Sequence, residues 1–301
     1  MRVAVIGGGM AGLSCAHALQ ERGVAVTLFD KGRQPGGRVA TRVVGAFGFE
    51  HGTPWFSDPF GLPAVSWQGQ WVGVPTMAAL AAAMAVTDLR QGRHVAYLHA
   101  GVTGWTVRHR PARETSPGLI SDQDGVVDGP YDRIVLAIPS PQAGPLLAAI
   151  GLDAPARIVA QATMTPCWTL MAGWLQPGDG ACGPAQDPIE HAILDSARPG
   201  RSAAPECWTA HATATWSQAH VNDEPAAVQA TLLAALMQMT GRTTAPDQAA
   251  VQRWRYARTG RALGQPCLDT GAGLVVCGDW LLGPDVGDAV ASGQAASAAI
   301  G

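Results

Sequence analysis

Gly7, Gly9 and Gly12 make a G-x-G-x-x-G turn directly behind the apolar run Val3-Ala4-Val5-Ile6. A buried strand that breaks into such a turn and then into a helix can hold the pyrophosphate of a dinucleotide. Gly7 permits the tight turn, Gly9 lets the backbone approach the phosphates, and Gly12 lets the helix pack on the strand. Met10 and Ala11 then open a helix whose N–H groups and dipole face the anion. Ala25-Val26-Thr27-Leu28-Phe29 is expected to be the second strand, and it ends at Asp30, an acid at the separation where a ribose hydroxyl is held.

A second motif follows at once: Lys31-Gly32-Arg33-Gln34-Pro35-Gly36-Gly37-Arg38-Val39-Ala40-Thr41-Arg42. Its glycines let main-chain amides approach a diphosphate, and Arg38 and Arg42 can offset its charge with forked donors. A G-G-R-x-x-T-R loop behind the ribose acid resembles the two-dinucleotide-motif flavoprotein superfamily, which includes amine oxidases, phytoene desaturases and renalases. Phe49-Glu50-His51-Gly52-Thr53-Pro54-Trp55-Phe56 is similar to the F-D-H-G-A-Q-Y-F stretch of renalases, and Trp71-Val72-Gly73-Val74-Pro75-Thr76-Met77 to their Y-V-G-V-P-G-M. Pro166-Cys167-Trp168, Gln252-Arg253-Trp254-Arg255-Tyr256-Ala257 and Gly278-Asp279-Trp280 resemble further renalase blocks in the same order, so the likeness runs along nearly the whole chain. Thr53-Pro54-Trp55 stands where the family has A-Q-Y, and the interval from His51 to Gly73 is shorter than in the family pattern.

The resemblance implies an FAD cofactor and assigns residues to it. The G-G-R loop, with Lys31, Gly37, Arg38, Thr41 and Arg42, passes over the FAD, and His51 and Gly52 lie beside it. The strand near Val95 meets the adenine. Gly278 and Asp279 bind the ribityl or phosphate part, and the helix N-terminus at Gly287, Asp288 and Ala289 points at the flavin pyrimidine, where a positive dipole favours the anionic reduced form. His51, Trp254, Tyr256 and Trp280 are the substrate-side candidates. The chain shows no nucleophile–base pairing, so the expected reaction is hydride transfer from a bound donor to flavin N5, with the cofactor carrying the chemistry. Renalases oxidise dihydronicotinamide dinucleotides reduced at ring positions 2 or 6 and pass the electrons to oxygen, giving hydrogen peroxide. An amine oxidase or desaturase-like flavoenzyme, a non-catalytic flavin sensor and a non-flavin NAD-binding module are the competing readings.

The elements that must position these residues are legible from pattern. At 301 residues the chain can bury a large core. The expected architecture is α/β: a Rossmann-like FAD domain (residues 1–50, 88–142 and 265–301) interleaved with an α+β substrate domain on an antiparallel sheet (51–87 and 143–264). His94–Leu98 and Trp105–Arg108 alternate like paired antiparallel strands, Tyr131–Pro139 reads as a buried strand, and Gly273–Cys277 as another leading to a small-residue helix over Asp288–Ile300. In the second domain Trp168, Leu170, Ala172 and Trp174 share a strand face. Trp208, Ala210, Ala212, Ala214 and Trp216 are expected to share another, and Trp254 with Tyr256 a third. A helix over Pro225–Thr240, started by Asn222 or Asp223 and stopped at Gly241, presents Val228, Leu232, Leu236 and Met239 to cover that sheet. Alternation puts Arg253 and Arg255 on a solvated face, with Arg258 and Arg261 completing a cluster that could hold a phosphate.

Charged residues are 14% of the chain and the net charge is -3, which gives no footprint for nucleic acid or an anionic membrane. The six cysteines are scattered, with no C-x-x-C pair and no zinc-ligand spacing, so reduced and mostly buried thiols and no metal are expected. A core strand beginning at the second or third residue, and no apolar run of membrane-spanning length, lead to the expectation of a cytoplasmic soluble protein acting on a small molecule.

Overall fold

A computed structural model describes residues 1–112 and 125–300. The chain divides into two compact units, the first made of Met1–Gly37, Ala81–Met164 and Thr259–Gly301 and the second of Arg38–Leu80 and Thr165–Arg258. The divisions thus fall at 37/38, 80/81, 164/165 and 258/259, where the sequence reading put them at 50/51, 87/88, 142/143 and 264/265.

The first unit is built on a six-stranded sheet in the order β16 (Leu268–Asp269), β17 (Leu274–Val276), β11 (Arg133–Leu136), β1 (Arg2–Ile6), β2 (Ala25–Phe29) and β7 (Asp88–Arg90). All pairings are parallel except β16 with β17. The central strands are almost wholly apolar because a parallel sheet is covered on both faces, and Val3, Ala4, Val5, Ile134, Val135 and Leu136 are all buried. Strand β1 lies between β2 and β11, the place where the winding direction of the sheet reverses and where ligands bind at strand C-termini in such sheets. Helix α1 (Met10–Glu21) follows β1, and α7 (Val286–Ala299) packs on α1. The small residues of α7 serve that packing: a Cβ on Gly293 would run into the Ala11 carbonyl, and Ser14 Oγ donates to the Val290 carbonyl at 3.0 Å. The expected pairing of His94–Leu98 with Trp105–Arg108 is present in β8 (Arg93–Gly101) and β9 (Gly104–Pro111), an antiparallel sheet completed by β10 (Val126–Tyr131), while the strand expected over Tyr131–Pro139 is β11 of the parallel sheet. Helices α3 (Ser140–Ala149) and α4 (Asp153–Val159) follow β11, and α2 (Ala78–Ala82) spans a unit boundary.

The second unit centres on a four-stranded sheet in the order β13 (Ile189–Leu194), β14 (Glu206–Ala212), β12 (Thr163–Trp174) and β15 (Gln248–Arg261). One face carries Trp168, Leu170, Ala172 and Trp174 of β12 with Trp208, Ala210 and Ala212 of β14, and α6 (Pro225–Thr240) covers it with Val228, Leu232, Leu236 and Met239. The tryptophan ladder is therefore core, and each indole N–H is bonded: Trp168 to the His220 carbonyl at 2.9 Å, Trp174 to the Thr244 carbonyl at 2.9 Å, and Trp208 to Glu206 Oε1 at 2.7 Å. Gly241 ends α6 in the left-handed conformation at φ 67°.

Three details differ from the expectation. Strand β14 stops at Ala212, so Ala214 and Trp216 lie instead on the short helix α5 (Ala214–Ala219), because the Thr213 side chain caps it by accepting from the Trp216 amide at 3.2 Å. Helix α6 is preceded by Glu224 with Pro225 in its first turn; Asp223 is engaged by His220 Nδ1 at 2.7 Å and does not cap it. Trp254 is absent from the tryptophan core and sits against His51, while Arg253, assigned to a solvated face, lies over the Trp168 ring and donates to the Val221 carbonyl. Two hairpins complete this unit, β3 (Arg42–Val44) with β4 (Phe47–Phe49), and β5 (Ala64–Trp67) with β6 (Gln70–Gly73).

Candidate functional site

In the first unit the glycine turn forms a cradle with one open side. Gly7 has φ +110° and no room for a side chain, since a Cβ would meet the Ala137 carbonyl; a Cβ on Gly12 would run into the Gly7 carbonyl. Gly9 differs. It sits before the first residue of α1 with no side-chain cap, and a Cβ placed on it would meet nothing within 4 Å. The first hydrogen bond of the helix runs from the Leu13 amide to the Gly9 carbonyl at 2.9 Å, so the amides of Met10, Ala11 and Gly12 have no acceptor inside the helix. Gly36 lies against this turn, its amide donating to the Gly8 carbonyl at 2.7 Å, and a Cβ on Gly37 would come within 3.3 Å of the Gly9 Cα.

Asp30 closes one end of the cradle. Its Oδ2 would be 2.8 Å from a Cβ on Gly8, and Oδ1 accepts from the Gly32 amide at 3.2 Å. Burial pushes its carboxyl above the ordinary aspartate range, while backbone N–H groups of Gly32, Gly8 and Lys31 pull the other way. Lys31 itself is exposed. The Val95 side chain is packed in the core with Ala4, Ile6 and Phe29.

The C-terminal element returns beside this cradle's sheet. The Cys277 amide donates to the Leu136 carbonyl at 2.9 Å, and the Gly278 amide to Ser292 Oγ at 2.9 Å. Asp279 is buried, and its Oδ2 accepts from Thr259 Oγ1 at 3.0 Å. Trp280, expected on the substrate side, is 1% exposed in the core of this unit with its indole N–H donating to the Ile138 carbonyl at 3.1 Å; it is a packing residue. At α7 the sequence reading passed over Asp285. Its carboxylate accepts from the Gly287 amide at 3.0 Å, and Asp288 reaches back to the Asp285 amide at 2.9 Å, a complete capping box. The amides expected to face a ligand at Gly287 and Asp288 are thus held by the cap, and the Ala289 amide bonds the Asp285 carbonyl at 3.4 Å. Burial, with Asp285 and Asp279 nearby, raises the Asp288 carboxyl. The axial dipole of the helix remains.

In the second unit the segment Glu50–Pro54 is held residue by residue. The Glu50 amide donates to Asp195 Oδ2 at 2.9 Å. The Glu50 carboxylate, 1% exposed, is paired with Arg201 and accepts from Thr41 Oγ1 at 2.7 Å and from the Met77 amide at 3.2 Å. The His51 carbonyl accepts from Trp254 Nε1 at 2.9 Å, and the Gly52 carbonyl from His211 Nε2 at 2.8 Å, which fixes the proton of that imidazole on Nε2. The Thr53 amide donates to the Arg38 carbonyl at 2.6 Å, and the Pro54 carbonyl accepts from Arg198 Nη1 at 2.7 Å. Gly52 is required, since a Cβ there would run into the Arg38 carbonyl. The Arg38 guanidinium bonds the Ala257 carbonyl at 2.9 Å, so part of its donor set ties the G-G-R loop to β15.

Burial sets the protonation of this cluster. His51 is pushed down to about 4, first by desolvation and then by the Arg42 charge, with Asp195 opposing; His211, wholly buried, is pushed down to about 3 by desolvation. Both rings are neutral near pH 7. His51 stacks at a tilt on Trp254, with ring centres 5.3 Å apart, and its Nδ1 is buried without a partner. Burial also raises the Glu50 carboxyl, with Arg201 opposing. Around these groups Trp55 meets His191 edge-on at 4.9 Å, Arg258 bonds both oxygens of Glu190, and Tyr256 is half-buried. The four arginines of β15 are each engaged: Arg253 and Arg258 as described, Arg255 with Asn222 Oδ1 at 3.2 Å, and Arg261 with the Gln161 carbonyl at 2.9 Å. They do not form an open phosphate cluster.

The sequence reading missed Glu50, Asp195, Arg198 and Arg201 as a set. Glu50 stood inside a quoted motif, but its partners lie 145 and 151 residues away along the chain and carry no local signal. Among the described residues no group of three or more His, Cys, Asp or Glu side chains could hold a metal ion, and no helix is long and apolar enough to cross a membrane.

A family model for an NAD(P)-binding Rossmann-like domain matches residues 5–66. The match covers the glycine cradle and continues through the Glu50–Pro54 segment. A carotenoid 3,4-desaturase of Haloarcula japonica is 42% identical over 57 residues, which are 19% of this chain and 12% of that protein. Among solved structures, a protein from Exiguobacterium sp. 255-15 named for protoporphyrinogen oxidase activity superposes with a TM-score of 0.71 at 14% identity, over 99% of this chain and 98% of that one. Cyclohexylamine oxidase of Brevibacterium oxydans gives 0.66 at 13% identity, over 99% and 98%. At these identities the likeness establishes a shared fold: a mixed α/β chain with a Rossmann-like parallel-sheet unit.

Proposed function

We propose that the chain is an FAD-dependent oxidoreductase of renalase type, taking a hydride from a planar reduced donor such as a 2- or 6-dihydronicotinamide dinucleotide, with oxygen as the electron acceptor. The observation that carries the cofactor is the open side of the cradle at Gly9, where a helix N-terminus without a side-chain cap meets a space that any Cβ would enter, with Asp30 at the neighbouring strand end. Those donors suit a pyrophosphate and that carboxylate suits a ribose hydroxyl. Gly7, Gly9, Met10, Ala11, Gly12 and Asp30 hold the dinucleotide in this reading. Asp279, fixed by Thr259, adds an acceptor at the C-terminal return. The resemblance adds Gly37, Arg38, Thr41, Arg42, His51 and Gly52.

Bound flavin supplies the hydride acceptor. The protein's own residues bind, orient and exclude water. With His51 and His211 neutral, no imidazolium stands ready as a general acid at pH 7, which fits a reaction that moves a hydride and asks little of acid–base groups. The half-buried rings Trp55, Trp254 and Tyr256 offer apolar faces to a planar donor. The desaturase match covers 57 residues, 12% of that protein, too little of it to carry a desaturase substrate to this chain.

Anaerobic titration with dihydronicotinamide isomers, followed by visible flavin absorption, tests this reading. Fast bleaching by the 2- or 6-reduced isomers and not by the ordinary 4-reduced form is the expected result. A bound flavin that stays oxidised with all three contradicts the donor assignment.

A further inference from the structure

One turn of chain holds both ends of the Glu50–Pro54 segment. The 3-10 turn Asp195–Ala197 and the residue after it supply Asp195 and Arg198, which are 1% and 2% exposed. Asp195 Oδ2 accepts from the Glu50 amide at 2.9 Å, and Arg198 Nη1 donates to the Pro54 carbonyl at 2.7 Å. The two side chains are joined by the bond from Arg198 Nε to Asp195 Oδ1 at 2.8 Å. Thr209, fully buried, donates its hydroxyl to Asp195 Oδ2 at 2.5 Å, and the Trp67 ring lies 5.3 Å from the guanidinium carbon.

A fully buried ion pair is a costly way to hold a loop. Apolar packing of similar volume usually stabilises as much or more, and such pairs are best explained by the geometry they specify. Here that geometry is the spacing between the Glu50 amide and the Pro54 carbonyl, and between those two anchors sit His51 and Gly52. The guanidinium reaches three differently directed groups, the Asp195 carboxylate through Nε, the Pro54 carbonyl through Nη1 and the Trp67 face, while its Nη2 is buried without a hydrogen-bond partner. An ammonium has no planar fork to do this.

We propose that Asp195 and Arg198 are positioning residues: they fix the backbone of residues 50–54 so that His51, with its unpartnered buried Nδ1, is presented to the reacting ligand in one orientation. The role in turnover rests on the functional reading above; the effect on the segment does not.

The test uses the full chain with Arg198→Lys and Asp195→Asn, and with Thr209→Val as a milder variant that keeps side-chain volume. Hydrogen exchange is measured by mass spectrometry over peptides covering 47–56 and over the β1–α1 region, beside flavin content and the anaerobic rate of flavin reduction by 2- and 6-dihydronicotinamide dinucleotide. The expected result is exchange at least 10-fold faster over 50–54 in Arg198→Lys, a smaller rise in Thr209→Val, no change over β1–α1, and reduction of the flavin that is bound slowed at least 10-fold. Unchanged exchange over 50–54 in all three variants overturns the proposal. Local loosening with undiminished reduction overturns the role in turnover. If the wild-type chain carries no flavin, the functional reading fails by itself, and the exchange comparison still decides whether the staple positions the segment.

Discussion

The cradle at Gly9 and the clamp at Glu50–Pro54 are opposite solutions to holding backbone. In the first unit, side chains are absent: glycines bring main chain together, the helix has no side-chain cap, and amide donors face open space. In the second, side chains from three separate stretches of the chain (Asp195 with Arg198, His211 and Trp254) and the Arg38 carbonyl consume the backbone groups of one short segment, beside the buried ion pairs Asp195–Arg198 and Glu50–Arg201. The first arrangement leaves unmet donors for an anionic ligand. The second ties down the backbone groups of its segment and leaves His51 Nδ1, Arg198 Nη2 and His211 Nδ1 buried without partners. A substitution on the open side of the cradle, at Gly9, should therefore act on binding with little effect on folding, and a substitution in the clamp should act on stability first.

The largest separation of the two effects is expected from Gly9→Val. Its side chain enters open space, so the thermal midpoint should stay within a few degrees of wild type while FAD affinity falls at least about 100-fold, roughly 2.7 kcal/mol. Gly12→Ala, one turn on, is the control: its Cβ would strike the Gly7 carbonyl, so the fold itself should be lost or badly weakened. Calorimetry of both variants beside FAD titration would break the comparison if Gly9→Val melted as early as Gly12→Ala.

In the clamp, Arg201→Met leaves the Glu50 carboxylate buried without its ion partner, a change expected to cost about 3 kcal/mol in urea unfolding. A cost below about 1 kcal/mol would show that the pair contributes little to holding the segment.

The imidazoles give the clamp an acid limit. His51 and His211 titrate near 6.5 when unfolded and at about 4 and about 3 when folded, so the unfolded chain binds protons first as pH drops. Their contribution is fully present above about pH 6.5, declines by about 1.4 kcal/mol per pH unit for each ring, and is lost as pH falls through the folded values. His211→Gln should reduce the slope of stability against pH between about 6.5 and 4 by one such increment. The raised carboxyls of Asp30 and Glu50 slope the other way and are common to both proteins. An unchanged slope would show that His211 is protonated in the native state.

The smallest effect is expected at α7. Asp285→Ala removes the capping box for about 1 kcal/mol of stability, and it frees the Gly287 amide.

Legibility from sequence follows the same division. Strand β2 ends where Ala25–Phe29 was expected to, and α6 spans Pro225–Thr240 with the four expected residues buried, because apolar periodicity and glycine punctuation are local signals. The shape of the cradle was readable for the same reason: it is made by a spacing of glycines. The clamp was not. Glu50, Asp195, Arg198 and Arg201 are charged residues in loops and turns, where solvent is the default environment, and their pairing is created by contacts across some 150 residues of chain. Trp280 and Trp254 show a related limit. Both are tryptophans in resemblance blocks, yet one, in a 3-10 turn, is core and the other, on β15, sits against His51, and the packing that decides between them is a tertiary property.

The central claim is that the cradle holds FAD. Purified chain should be denatured, the released nucleotide identified and counted, and FAD affinity measured on stripped protein for wild type and Gly9→Val. One FAD per chain, with tight rebinding by wild type and not by Gly9→Val, is the predicted result. A colourless chain that fails to take up FAD, or a Gly9→Val variant that binds it as well as wild type, would contradict the account.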